Sequence, residues 1–135
     1  MEQSEWKVRM FVNGQAMSGG ALHASLAGCR FLGNVNTAAT YRFYTIRDEF
    51  PGLYFAPDEG AMIPGELYEV SYAQLREHLL PNEPEELELT VIALEDGSGS
   101  LSMCLREAAI GLPGVVDITA SGGWRAYQEN QRPKE

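Results

Sequence analysis

Apolar residues recur at alternate positions in several short stretches of the chain, and this pattern predicts a structure made mainly of strands. Trp6–Val12 alternates in this way, as a half-buried strand does. Thr40–Ile46 is rich in β-branched and aromatic residues and predicts a second strand. Pro64–Val70 predicts a third strand with apolar side chains on both faces, and Asp117–Thr119 predicts the start of a last, short strand.

A hairpin and a long loop complete this pattern. Leu87–Leu94 and Ser100–Arg106 flank Glu95–Gly99, whose Asp-Gly pair is a strong hairpin signal. Arg47–Gly60 contains several prolines, glycines and acidic residues and is predicted to be a loop. Within it, Asp48–Tyr54 is either a lid over a pocket or a turn with packed rings.

Helical signals are fewer. Ser71 precedes Tyr72–Leu80, where leucines lie four residues apart, so a capped helix that ends at Pro81 is predicted. A short helix is predicted over 21–26, and Gly122–Tyr127 is a closing turn or helix. Hairpin-joined strands with a few helices between them predict an α+β domain built on a small curled sheet or β-barrel with flanking short helices.

The loop after the first strand is the most distinctive segment. Asn13 and Gly14 tolerate positive φ and allow a sharp exit from the strand. Ser18 is a candidate cap for the next helix, and Gly19 and Gly20 leave backbone N–H groups uncovered. Such a strand–loop–helix corner is either a site for an anionic group or an ordinary tight connection.

Composition and charge exclude some classes of function. The 135 residues suffice for one domain, predicted over 1–127 with a polar tail over 128–135. The net charge of −9 argues against nucleic acid and acidic membrane surfaces as partners. The first residues lack the apolar core of a signal peptide, no apolar run could span a bilayer, and the two cysteines lack a CxxC motif, so a cytoplasmic protein is expected. No grouping has metal-ligand spacing, and no cofactor is expected.

Several segments together resemble a known family, the C-terminal domain of allophanate hydrolase, within the wider γ-glutamylcyclotransferase-like superfamily. The resemblance runs from about Val8 to Tyr127, and its most specific part is the Gly-Gly-Trp-Arg-Ala-Tyr ending. The matching segments are Phe11–Gly14 with Met17–Gly19 and Leu22, Tyr41–Tyr44, Ile63–Tyr68, Asp96-Gly97 with Met103, and Asp117–Thr119 with Gly122–Tyr127. It implies a small β-barrel with flanking helices and a small-molecule pocket at the loop after the first strand.

The resemblance implies two different activities, and the sequence departs from both. In allophanate hydrolase this domain decarboxylates the product of a separate amidase domain, with a histidine in the first loop. The matching place here is Gln15-Ala16-Met17, and His23 lies one helical turn further on. The amidase domain and its Ser–Ser–Lys signature are absent from this sequence, so a complete allophanate hydrolase is not expected.

The cyclotransferases of the superfamily instead use one glutamate after the helix that follows the central strand. Glu83, between Pro81 and Pro84, is the matching candidate for a general acid/base. The alternative is that Glu83, Glu85 and Glu86 form a solvated acidic turn. The cyclotransferase loop begins Tyr-Gly-Ser, which this chain lacks. The residues predicted to bind substrate there are Asn13, Gly14, Gln15, Met17, Ser18 and Gly19.

Other residues have two interpretations each. Arg42 and Tyr44 share one face of a strand and are further candidates to bind substrate. An inward Arg42 could clamp a substrate carboxylate, and an outward one would be solvated. Trp124, Arg125 and Tyr127 are predicted to form a structural clasp.

Two hypotheses of different class follow. The first is a cyclotransferase-like enzyme that acts on a small carboxylate or amide with Glu83 as acid/base. The second is a non-catalytic relative that binds a small metabolite or an amidase partner. A homodimer is compatible with both hypotheses.

Overall fold

The computed structural model describes residues 6–20 and 22–131, with Gln131 described by its backbone alone. Three expectations from the sequence therefore fall partly or wholly outside the described residues. These are the absence of a signal peptide at residues 1–5, the start of the first helix at Ala21, and the last part of the polar tail, residues 132–135.

Eight strands form one mixed sheet. Their order across the sheet is β2-β5-β1-β7-β4-β3-β8, and β6 pairs with β7 outside this path. The strands are β1 (Lys7–Val12), β2 (Arg30–Asn36), β3 (Tyr41–Ile46), β4 (Phe50–Phe55), β5 (Pro64–Ser71), β6 (Leu87–Ala93), β7 (Gly99–Leu105) and β8 (Val115–Asp117). The α+β class is confirmed.

The sheet is not closed into a barrel, and this part of the prediction is wrong. Strands β2 and β8 lie at the two ends of the hydrogen-bonded path and do not pair with each other in the described part of the chain. A barrel requires every strand to be paired along both edges. The backbone pairing of β7 with β1 is short, at Met10 and Leu101, and so is its pairing with β4, at Leu53 and Cys104.

The strands predicted over Trp6–Val12, Thr40–Ile46 and Pro64–Val70 and in the hairpin are confirmed. The last strand is present, but Asp117 ends it rather than starts it, because β8 covers Val115–Asp117 and a 3-10 turn follows at Thr119–Ser121. Two further strands, β2 and β4, were missed. Strand β2 contains Gly33, where φ is +139° and the pairing with β5 shifts register. Strand β4 begins Phe-Pro-Gly, which indicates a turn in isolation, yet it pairs with β3 along its length. The loop predicted over Arg47–Gly60 is therefore wrong for residues 50–55, and Asp48–Tyr54 is not a lid, because most of it is strand. The turn before β4 places Arg47 and Asp48 at φ 53° and 61°.

The capped helix is confirmed. The Ser71 hydroxyl accepts a hydrogen bond from the Gln74 N–H at 3.0 Å, and α1 (Tyr72–Gln74) begins there. It continues as a π-helical turn over Leu75–Leu79 and a 3-10 turn over Leu80–Asn82, so the helical segment passes Pro81. Helix α2 (Trp124–Gln131) confirms the closing helix and extends into the polar tail.

Strand β1 is central, and its position fixes where the following loop begins. Met10, Phe11 and Val12 are all buried, and because successive side chains of a strand point to opposite faces, both faces of the sheet are covered at this point. On β5, Leu67 and Tyr68 are buried on opposite faces for the same reason. Trp6, at the start of the alternating pattern, is 82% exposed. Because the last residues of β1 are buried, the loop after β1 starts in the core.

None of the helices in the described residues has the length and apolar character to cross a membrane.

Candidate functional site

The loop over residues 13–20 leaves β1 through two tight turns. The Met17 N–H donates to the Gly14 carbonyl at 3.0 Å, and the Gly20 N–H donates to the Met17 carbonyl at 2.8 Å. Gly19 has a φ of +85°, which only glycine adopts without strain. Ser18 does not cap the next helix, because the 3-10 turn over His23–Leu26 begins after Leu22 without a side-chain cap.

The loop binds a carboxylate that belongs to the protein itself. Glu66, on β5 and 3% exposed, accepts hydrogen bonds from the Ser18 N–H (2.8 Å) and the Ser18 hydroxyl (2.7 Å). It also accepts from the Tyr68 hydroxyl (2.9 Å) and from Nη2 of Arg125 (3.0 Å). The Ser18 N–H at this corner therefore does bind an anion, which is the first of the two alternatives, but the anion is the protein's own Glu66 carboxylate.

Burial of the Glu66 carboxyl opposes its ionisation, but its hydrogen bonds have the larger combined effect. The donors on Ser18, Arg125 and Tyr68 lower the pKa of Glu66 to about 2. Burial and the contact with Glu66 together raise the pKa of Tyr68 to about 12. Glu66 is thus an ionised, fully paired anchor that fixes Ser18 and the start of α2.

Trp124 is buried and stacks on Tyr127, in agreement with the predicted clasp.

A cavity of about 40 Å³ lies where the loop, the end of β1 and the segment after α1 meet. It brings Glu83 together with three of the predicted substrate-binding residues, Asn13, Gly14 and Gln15. The remaining wall is mostly apolar and consists of Met10, Phe11, Val12, Ala16, Leu22, Ser25, Phe50, Pro51, Leu79, Asn82, Ser102 and Met103.

Glu83 is the only ionisable residue on the described wall of this cavity. Its N–H donates to the Leu80 carbonyl at 3.1 Å, which fixes the backbone after the 3-10 turn. Among the described residues its carboxyl has no hydrogen-bond partner, and burial alone raises its pKa to about 7. The neighbouring acids differ, because Glu85 is exposed and Glu86 pairs with Arg47 at 2.5 Å.

The remaining predicted residues do not reach this cavity. Met17, Ser18 and Gly19 lie beside a separate cavity of about 150 Å³, next to Trp124 and Arg125. Arg42 pairs with Asp117 at 3.0 Å and donates to the Glu59 carbonyl, while Tyr44 packs on Tyr54. The Nδ1 atom of His23 lies 2.9 Å from the Ala16 carbonyl.

Two features of the site were missed in the sequence. The first is the set of hydrogen bonds to the buried Glu66 carboxylate. A sequence signal for it exists, because a charged residue within a strand that has apolar side chains on both faces indicates a buried ionic contact. The second is the wall that Phe50 and Pro51 contribute, which required strand β4. Within the described part of the chain, no group of three or more acidic, histidine or cysteine side chains is placed to hold a metal ion.

Comparison with known proteins identifies relatives of very different length. A profile of the allophanate hydrolase C-terminal domain matches residues 8–129. The urea amidolyase of Saccharomyces cerevisiae is 30% identical over 135 residues, but the match is only 7% of that protein. The solved allophanate hydrolase of Kluyveromyces lactis matches with a TM-score of 0.86 and 28% identity, covering 94% of this chain and 22% of that one.

A third relative has a similar length to this chain. The structure of a uropathogenic E. coli-specific protein has a TM-score of 0.83 and 29% identity, and the match covers 94% of this chain and 99% of that one. A gamma-glutamyl cyclotransferase shares the fold, with a TM-score of 0.52 and 9% identity. Because the family profile matches residues 8–129, nearly the whole chain, the protein belongs to the allophanate hydrolase C-terminal domain family.

Proposed function

We propose that the cavity beside Glu83 binds a small carboxylate or amide compound and that Glu83 acts there as a general acid/base. The observation that supports this most directly is the Glu83 carboxyl itself. It lies on the cavity wall in a half-buried position and lacks a hydrogen-bond partner among the described residues. Unpaired, desolvated carboxyls are costly in a structure and are concentrated at functional sites.

The pKa of the Glu83 carboxyl is suited to proton transfer at neutral pH. A pKa of about 7 means that both forms of the carboxyl are populated near neutral pH. A group in this state can accept a proton from a substrate nitrogen and return it to a leaving group with little energetic penalty. The reaction class that fits is a cyclotransferase-like transfer within a small amide, in which an amine of the substrate bonds to the amide carbonyl carbon, the original C–N bond breaks, and the proton that Glu83 takes from the attacking nitrogen goes to the departing amine.

The anchored loop provides another part of the cavity wall. Ser18 is fixed by Glu66, so Gly14 and Gln15 are held at the cavity without support from a ligand. A wall arranged in advance lowers the entropic cost of binding. We therefore assign substrate contact to Asn13, Gly14 and Gln15, and assign a supporting role to Ser18.

A second candidate function is a non-catalytic domain that binds a metabolite or an amidase partner. The lengths of the relatives favour it, since this chain spans 22% of the Kluyveromyces lactis allophanate hydrolase and 7% of the yeast urea amidolyase. A domain that works beside others in those proteins could bind a separate amidase chain here. We expect the protein to be cytoplasmic, and a homodimer is compatible with either function.

A thermal-shift and turnover screen tests the proposal. The panel contains γ-glutamyl amino acids, 5-oxoproline, malonate, biuret and allophanate, with wild type beside Glu83→Gln and the matched control Glu85→Gln. A ligand of the native state raises the melting temperature as its concentration rises. We expect at least one compound to be bound by all three proteins and converted by wild type and Glu85→Gln only.

Other outcomes decide between the two functions. Equal turnover by Glu83→Gln and wild type would show that Glu83 is not the general acid/base. Binding without turnover by any protein would favour the non-catalytic function. If no compound binds, co-elution of the chain with a purified amidase on size exclusion would support the partner function.

A further inference from the structure

We infer that the group entering the cavity beside Glu83 is an uncharged amide rather than a carboxylate. Its carbonyl oxygen would accept a hydrogen bond from the side-chain amide of Asn13, and its N–H would donate to Glu83. This inference rests on the proposed function, and it narrows the ligand class that the function leaves open.

The first support is the unpaired amide of Asn13. The residue is 6% exposed and lines the cavity, and its Nδ2 atom has no hydrogen-bond partner among the described residues. A buried donor without an acceptor destabilises a protein, so native structures nearly always provide one. A carbonyl oxygen in the cavity would be that acceptor.

The second support is the charge of the cavity. No lysine, arginine or histidine is among the described residues of its wall, and Glu83 is its only ionisable group. The nearby guanidinium groups are already paired, Arg47 with Glu86 and Arg125 with Glu66. A carboxylate placed beside Glu83 would repel it in a poorly solvated space, without a cation to compensate. An amide has the same shape and carries no charge.

The third support is the volume of the cavity and the state of two other polar side chains on its wall. A volume of about 40 Å³ accommodates about three water-sized groups, which matches the carbon, oxygen and nitrogen of a carboxamide. Two other polar side chains on the wall have their donors engaged. The Ser102 hydroxyl donates to the Phe11 carbonyl at 2.9 Å, and the Asn82 amide donates to the His78 carbonyl at 2.8 Å.

A matched pair of probes tests the inference. Acetamide and acetate have the same heavy-atom shape and differ in charge. Each is titrated at constant ionic strength into protein labelled with ¹³C and ¹⁵N, and the side-chain NH₂ signals of Asn13 are followed together with the methyl signals of Leu79 and Met103. The Asn13 signals are assigned by their loss in Asn13→Leu, and Asn34→Leu on the exposed strand β2 is the control for the substitution.

We expect acetamide to shift the Asn13 and methyl signals in a saturable way and to bind about tenfold or more tightly than acetate, a difference of about 1.4 kcal/mol. Asn13→Leu should lose acetamide binding, whereas Asn34→Leu should keep it. Glu83→Gln removes the repelling charge, so its preference for acetamide over acetate should shrink several-fold.

Contrary outcomes separate the two proposals. Acetate binding as tightly as acetamide in wild type, or methyl shifts without a change at Asn13, would overturn this inference and leave the binding function intact. If neither probe shifts the signals of the cavity wall, while a larger carboxylate of the panel is bound and converted in a Glu83-dependent way, the inference fails and the proposed function stands. If no compound of either set binds, both fail.

Discussion

Ser18 donates two hydrogen bonds to Glu66, one from its backbone N–H and one from its hydroxyl, at 2.8 and 2.7 Å. The two residues are 48 positions apart and connect the loop after β1 to strand β5. Arg125 donates to the same carboxylate, so helix α2 is connected to it as well. One buried carboxylate thus organises three separate segments around the candidate site.

Replacing that carboxylate should cost stability at neutral pH. Glu66→Gln keeps the shape of the side chain, but it removes the charge that Arg125 and the two Ser18 donors stabilise. We expect the free energy of unfolding to fall by about 2–3 kcal/mol, as for the loss of charge-assisted hydrogen bonds in a buried site. Urea unfolding at pH 7 measures it.

The control for this prediction is Glu69→Gln, the same change on the same strand. Glu69 is half-buried and has no ion pair among the described residues, so its replacement should change stability by less than about 0.5 kcal/mol. Equal effects of the two substitutions would show that the anchor does not contribute to stability.

The same anchor predicts a loss of stability in acid. The pKa of Glu66 is about 2 in the folded protein, against 4.5 for a free glutamate. The unfolded chain therefore binds more protons than the folded one between these values, and stability rises with pH there. The stability that Glu66 contributes is complete above about pH 4.5 and is lost as the pH falls through 2. The difference between wild type and Glu66→Gln should shrink over this range, which unfolding curves at several pH values test.

The raised pKa of Glu83 predicts that its contribution to the free energy of unfolding changes with pH in the opposite direction to that of Glu66. Its folded pKa of about 7 lies above the free value of 4.5, so the folded protein binds more protons than the unfolded chain in between. Stability should fall as the pH rises through this range. Glu83→Gln removes the cost of the buried charge. We expect the variant to match wild type below pH 4.5 and to exceed it by about 2–3 kcal/mol at pH 8.

Glu85→Gln is the control here too, and we expect its stability to follow that of wild type throughout. A Glu83→Gln variant with an unchanged pH profile would mean that the Glu83 carboxyl is solvated, and the proposed acid/base role would lose its physical basis.

Strand β5 passes β1 too closely for a side chain at Gly65. A Cβ there would overlap the ring of Phe11 and lie 2.6 Å from the Val12 carbonyl oxygen. Gly65→Ala should therefore separate the two strands and destabilise the fold by about 2–4 kcal/mol, a typical cost of overpacking a core together with a backbone shift.

Gly99→Ala provides the comparison in thermal unfolding. A Cβ at Gly99, at the start of β7, would meet nothing closer than 3.6 Å, so we expect a change of less than about 0.5 kcal/mol. Similar melting temperatures for the two variants would contradict the close approach of β1 and β5 at Gly65.

Local signals in the sequence were sufficient for part of the fold. The hairpin formed by β6 and β7 follows from an Asp-Gly turn between two apolar runs, and the Ser71 cap follows from a hydroxyl placed just before a helical pattern. These elements form between neighbouring residues, and the preferences of a few side chains therefore decide them. The segments that resemble the family were also visible without a structure.

Tertiary pairing decided the rest. Strand β4 has a Pro-Gly start that indicates a turn, and it becomes a strand because β3 pairs with it along its length. The open sheet could not be distinguished from a barrel, since closure depends on whether distant edges meet. The sequence identified Glu83 and the loop as separate candidates, but their shared cavity exists only in the folded chain. It likewise could not show that Glu66 already occupies the loop, because contacts between residues 48 or more positions apart leave no local pattern.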